Sequence, residues 1–262
     1  MAKDILVTIV CNDIYSRNWM SLLLVRDWRT RVISELSLRD NLQKALNQML
    51  PSPDMLLIDL DANQETPELS SKINALAGGK LQPKVVLISS QPEAKILRRL
   101  DLNLLNGYLL KGEISTSLGW ALTFASEGRF VLTSQAMRLF DQFNIVIPKD
   151  NMVLKGRNFP GLTDRQEEIA RLAIIFSIGR RDLADELKIS DQWSYGIVSE
   201  LYNKMGLEDV FSGEMNLDQF LQDDPVIRAH VEEIINELGN SKKARDMETL
   251  AFHLLTLPSI ES

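Results

Sequence analysis

Three short apolar runs in this chain each close on a residue that can do chemistry. They are Met55-Leu56-Leu57-Ile58-Asp59, Val85-Val86-Leu87-Ile88-Ser89 and Gly107-Tyr108-Leu109-Leu110-Lys111. A carboxylate, a hydroxyl and an ammonium are the set needed to take a phosphoryl group on Asp59 and neutralise it with Lys111. A carboxylate nucleophile meeting an anionic phosphate also needs a divalent cation to suppress the repulsion. Mg²⁺ asks for oxygen ligands in near-octahedral geometry. The place for them is the end of the first strand-like run, Ile5 to Val10, which is followed by Cys11-Asn12-Asp13. A thiol is a poor Mg²⁺ ligand and Asn12 offers a neutral carbonyl oxygen. Asp59 and Asp13 are the residues left to hold a metal.

Those side chains converge only if their runs are neighbouring strands of one parallel sheet. The carboxyl ends of such strands line the edge where these folds bind and react. The first ~126 residues alternate in the required way. Strands are expected near 4–11, 31–36, 54–59, 84–89 and 106–110, with helices near 14–25, 38–50, 66–77, 92–101 and 113–126. This predicts a doubly wound, five-stranded α/β domain over 1–126. Gly128, Pro148, Gly156 and Pro160 punctuate 127–160, which reads as a linker holding short apolar runs at Phe130-Val131-Leu132 and Ile145-Val146-Ile147. From Thr163, with Gln166 three residues on as a capping-box pair, the pattern turns helical. Helices near 163–175, 180–187 and 191–206, with tight turns at 177–179 and 188–190, form a helix-turn-helix over 161–210. The tail, 211–262, reads as a helical extension, clearest from Pro225 to Leu238.

Bulk properties narrow the class. The chain has 262 residues, 45% hydrophobic and 25% charged, which suits a globular protein of one or two domains. No run is long and apolar enough to span a membrane. The start leads directly into a strand-like run without a secretory h-region, so a cytoplasmic protein is expected. A single cysteine fits a reducing compartment, and two separated histidines, His230 and His253, argue against zinc. There is no placeable nucleophile–base pair and no Gly-rich phosphate loop, so an enzyme is not expected. The net charge of −7 gives nucleic-acid binding no general help.

Taken together, these motifs resemble the response regulators of two-component signalling with a LuxR-type output domain, the NarL/FixJ group. The resemblance covers about 1–210. It rests on Asp59, Ser89, Tyr108 and Lys111, on Gly128-Arg129-Phe130-Val131-Leu132, on Leu162-Thr163-Asp164-Arg165-Gln166-Glu167, on Leu183 to Ser190, and on Lys204-Met205-Gly206-Leu207. It implies that Asp59 is the position that accepts phosphate from a sensor kinase. Lys111 would pair with the phosphoryl oxygens, Ser89 would bond the phosphoryl group, and Tyr108 would follow Ser89 inward. It also implies DNA as a partner of the output helices and a protein partner or second copy for the whole chain. The chain departs from the family at three places. Its acidic Mg²⁺ pair aligns with Cys11 and Asn12, its Met-Pro after the acceptor strand is Ala62-Asn63, and its recognition-helix pattern is replaced by Trp193-Ser194-Tyr195-Gly196-Ile197. A pseudo-receiver that works without conventional phosphorylation is therefore expected.

On the output side, Gln192, Ser194, Tyr195 and Ser199 are candidates to read bases or phosphates. Arg180, Arg181 and Lys204 are candidate backbone contacts. Between Lys155 and Asp209 eight basic residues face ten acidic ones, a net of −2. Phosphate neutralisation supplies most non-specific DNA affinity, so this balance predicts weak binding. The alternative is an adaptor that holds another protein through Trp193 and Tyr195.

Overall fold

In the computed structural model, residues 4–61, 66–79, 81–207, 209, 224–238 and 244–261 are described. Ala62-Asn63 lie outside them, as does 211–223 of the expected extension. The chain divides into two compact units. One comprises Ala2–Gly156 with Pro258–Ser262, the other Arg157–Leu257.

The first unit is an α/β sheet. Its opening strands are β1 (Ile5–Val10), β2 (Thr30–Leu36), β3 (Met55–Asp59), β4 (Lys84–Ser89) and β5 (Leu105–Leu110). They pair in parallel in the order β2-β1-β3-β4-β5, the doubly wound order with its switch point between β1 and β3. β3 is buried at every position, and β4 and β5 nearly so, as expected where helices cover both faces. Alternation sends Leu56, Ile58, Leu87, Tyr108 and Leu110 to one face. There they pack with Leu42, Leu69, Ile96 and Phe140. The other face is covered by α1 (Ile14–Arg26) and by a helix spanning Leu118–Ser126, whose Leu118, Trp120, Leu122 and Phe124 are fully buried. Each such side chain contributes roughly 2 kcal/mol by leaving water. The Arg29 guanidinium pairs with Asp27 and lies 3.9 Å over the Trp120 ring, fixing the end of α1 to that helix.

The sheet does not stop at five strands. The segment expected as a linker supplies β6 (Phe130–Thr133), the helix Ser134–Gln142 and β7 (Asn151–Gly156), both strands parallel to their neighbours. β8 (Pro258–Glu261), expected within a helical tail, adds antiparallel to β7 and completes eight strands. The reason for the difference is local. β6 is only four residues long, and β7 carries Asn151, Lys155 and Gly156, residues of low strand propensity. Pairing, not propensity, makes them strands. Two expected helices are also shorter than their apolar patterns. The one near 92–101 is Ala94–Leu97, and the one near 113–126 breaks at Ser115, whose φ is 48°.

In the second unit, the expected capping box forms: Thr163 accepts from the Gln166 amide, and the Gln166 side chain accepts from the Thr163 amide. The helix Asp164–Ala170 continues as a π turn over Arg171–Ile175. Then follow Arg180–Leu187, a turn with Lys188 in the left-handed region, and Asp191–Lys204, N-capped by Ser190. The last two helices pack together as a helix-turn-helix. Among the described residues the unit also holds the helices Pro225–Leu238 and Ala244–Leu255.

Gly107 marks the tightest approach between strands. A Cβ there would run into the Val131 side chain and lie 2.5 Å from the Val131 carbonyl oxygen, and backbone in mid-sheet yields little. Gly107→Ala should therefore lower stability by about 2 kcal/mol in denaturant titration. A change within about 0.5 kcal/mol would mean β5 and β6 are less tightly paired than described.

Candidate functional site

The carboxyl ends of β3, β4 and β5 bring Asp59, Ser89, Tyr108 and Lys111 to one edge of the sheet. Asp59 is 1% exposed. Lys111, the first residue after β5, donates to Asp59 Oδ2 at 2.7 Å. It also donates to Asp61 Oδ2 at 2.7 Å and to Ser16 Oγ at 2.8 Å. One ammonium thus bridges two carboxylates. Burial works to lower the Lys111 pKa, but its hydrogen bonds to the two carboxylates and their charges outweigh it and the pKa is raised.

Asp59 accepts two further hydrogen bonds. Its Oδ1 accepts the Asp61 amide at 3.0 Å, and Oδ2 accepts the Cys11 thiol at 3.1 Å. Burial first, then the bond to Asp59, pushes the Cys11 thiol up to about 12. The thiol is therefore held in its protonated form, able to donate.

Ser89 and Tyr108 meet as expected. Their hydroxyl oxygens are 2.7 Å apart, and Tyr108 is fully buried. Ser89 donates to the Gln91 carbonyl at 2.6 Å. Either hydroxyl can be the donor between Ser89 and Tyr108; the Tyr108 hydroxyl also reaches the Gln91 carbonyl at 3.3 Å, and its oxygen accepts the Glu93 amide at 2.8 Å. Burial is the main reason the phenol is pushed up to about 12. The ring centroid lies 6.5 Å from that of Phe140 in the core.

Asn12 and Asp13 do not join this group. The Asn12 carbonyl oxygen accepts from Ser37 Oγ at 2.8 Å and the Leu38 amide at 2.9 Å, which pins the loop after β2. Asp13 accepts the Ser16 amide at 2.7 Å as the N-cap of α1, and that bond leads the lowering of its pKa. The two carboxylates expected to share a metal make other bonds here: Asp59 accepts from Lys111, Cys11 and the Asp61 amide, and Asp13 caps a helix. Among the described residues no three His, Cys, Asp or Glu side chains cluster to hold a metal ion. The donor set does not fit Mg²⁺.

Asp61 and Ser90 are the residues that sequence reasoning missed. Asp61 Oδ2 and Oδ1 accept the Ser90 amide at 3.0 and 2.8 Å, and Oδ2 accepts Ser90 Oγ at 2.5 Å. Burial, the largest influence, works to raise its pKa. The bonds from Lys111 and Ser90 prevail and hold it below the usual value. The available signal was position: Asp61 lies two residues past the carboxyl end of β3.

Comparison with solved structures follows this geometry. The chain is similar to response regulators. One is the response regulator ChrA of a heme-sensing two-component system, at 23% identity, covering 78% of this chain and 90% of that one, with a TM-score of 0.40. A second is RcsB from Salmonella enterica serovar Typhimurium bound to a promoter, at 19% identity, 78% and 93% coverage and a TM-score of 0.44. A third is the receiver domain of a response regulator, NarL, from Mycobacterium tuberculosis, at 20% identity, 48% and 99% coverage and a TM-score of 0.39. No family model and no curated protein matches the chain.

On the output helices, Gln192, Tyr195 and Ser199 are exposed, and Tyr195 lies 5.9 Å from the Arg180 guanidinium. Arg181 is exposed, and Lys204 pairs with Glu200 at 3.5 Å. Ser194 is corrected. It is fully buried and donates to the Asp191 carbonyl, because Ser194, Val198 and Leu201 share the inward stripe of their helix. Among the described residues no helix is long and apolar enough to cross a membrane.

Lys111→Met would leave buried Asp59 with no cation. It should cost about 3 kcal/mol by denaturant titration. Adding Asp59→Asn should recover most of that loss, since the stranded charge is gone. Additive losses in the double-mutant cycle would contradict a shared buried pair.

Proposed function

We propose that this chain is a signalling or transcription-regulatory protein built like a response regulator, that its receiver-like unit acts without Mg²⁺-dependent phosphorylation, and that its helix-turn-helix binds DNA. The observation that carries the first part is the state of Lys111. Its ammonium already serves two carboxylates, while Asn12 and Asp13 are committed to a loop and a helix cap. A phosphoryl group would bring about −2 charge to a group of Asp59, Asp61 and Lys111 that is already net negative. On this reading no sensor kinase needs to supply phosphate, and state changes come from binding a partner or a second copy.

The DNA part is supported by the exposed face of Asp191–Lys204, with Gln192, Tyr195 and Ser199, beside Arg180 and Arg181. Few cations are available, so affinity should depend only weakly on salt. A slope of about −2 to −3 in log affinity against log salt is expected, and Arg181→Ala should reduce its magnitude by about 1. Absence of binding to promoter DNA at low salt would overturn this part.

A second reading has its own observation. Trp193 is 57% and Tyr195 63% exposed, large aromatics on a surface that a domain alone has no reason to leave open. In that case the same helix docks a protein. Trp193→Ala would then abolish the protein complex, whereas under the DNA reading it leaves the salt slope unchanged.

A further inference from the structure

We propose that the Asp61 carboxylate is a built-in anion occupying the cradle that a phosphoryl group on Asp59 would need, so that the chain itself holds the crevice in its closed arrangement. This rests on reading the crevice as phosphoacceptor-like. The cradle has three donors from two elements. Lys111 Nζ comes from the end of β5, and the Ser90 amide and Ser90 Oγ come from the end of β4. An ammonium, a backbone N–H and a hydroxyl converging on one point are the donors that bind a phosphoryl oxygen. Here all three converge on Asp61.

The occupant has consequences beyond charge. By clamping Ser90, Asp61 fixes the start of the loop after β4. The next residues of that loop, Gln91 and Glu93, hold the hydroxyls of Ser89 and Tyr108 through a carbonyl and an amide. The inward position of Tyr108 is therefore tied to the anion three bonds away: Asp61 to Ser90, Ser90 to its loop, the loop to Tyr108. In a chain that needs phosphate to complete this network, the anion arrives by transfer. In this chain it is encoded two residues after the acceptor position.

Chemical rescue tests this on the full chain. Asp61→Ala should melt lower by about 3 °C and should shift the Tyr108 ring resonances of ¹³C-tyrosine-labelled protein. Adding sodium formate or inorganic phosphate should restore both, saturably, in the variant only, because the vacated donors then take the added anion. Asp61→Asn, which keeps the shape without the charge, covers the case of an alanine variant that does not fold. It should shift Tyr108 as well. An unshifted Tyr108 in either variant, or a shift in Asp61→Ala that neither anion reverses, would overturn the proposal. DNA binding plays no part in these readouts. A chain that binds no DNA yet shows rescue would lose the output reading and keep this one. Saturable beryllofluoride binding by the unmodified chain would instead remove the phosphorylation-independent reading on which it rests.

Discussion

A single ammonium shared between two carboxylates governs the crevice. Lys111 is held at the end of β5, and its two acidic partners sit at and just beyond the end of β3. A buried ion pair is weak evidence for stability in general, since desolvation offsets much of the attraction. Its value here is positional. With Lys111 fixed, Asp59 Oδ2 accepts both its ammonium and the Cys11 thiol. With Asp61 drawn to the same ammonium, the loop after β4 is clamped and Tyr108 is enclosed. The bonds at Asp59 and those at Asp61 meet on the same cation.

The second constraint is the sheet. β7 and β8 are adjacent and antiparallel, and Gly156 pairs with Pro258. The chain leaves the sheet at one of these residues and returns at the other after forming the helical unit. β8 also carries Glu261, whose carboxylate accepts from Ser134 Oγ at 2.6 Å. The end of the described chain is thereby part of the sheet unit, not of the helices that precede it in sequence.

Much of this was legible beforehand. The five opening strands, their polar ends and the capping box at Thr163 follow from continuous apolar runs and from fixed cap chemistry. What could not be read has physical causes. β6, β7 and β8 are short or contain poor strand formers, so only pairing with a neighbour that already exists makes them strands. The Ser194 assignment failed because residue type suggested base contact while helical phase put it inward with Val198 and Leu201. Asp61 went unnoticed because a polar residue in a βα loop is ordinary. Its role emerges only when β4 places Ser90 beside it. Cys11 and Asn12 were legible as poor metal ligands. That Asn12 would instead pin the loop after β2 depends on a contact 26 residues away in sequence.

On the proposed reading, this crevice is closed to phosphoryl chemistry. The most direct measurement is titration of the full chain with Mg²⁺ and beryllofluoride, an acyl-phosphate mimic, followed by thermal stability and Tyr108 resonances. No saturable change at millimolar metal is the predicted result. Saturable binding that disappears in Asp59→Asn would contradict it, and would show that Lys111 and Asp61 yield to an incoming phosphoryl group.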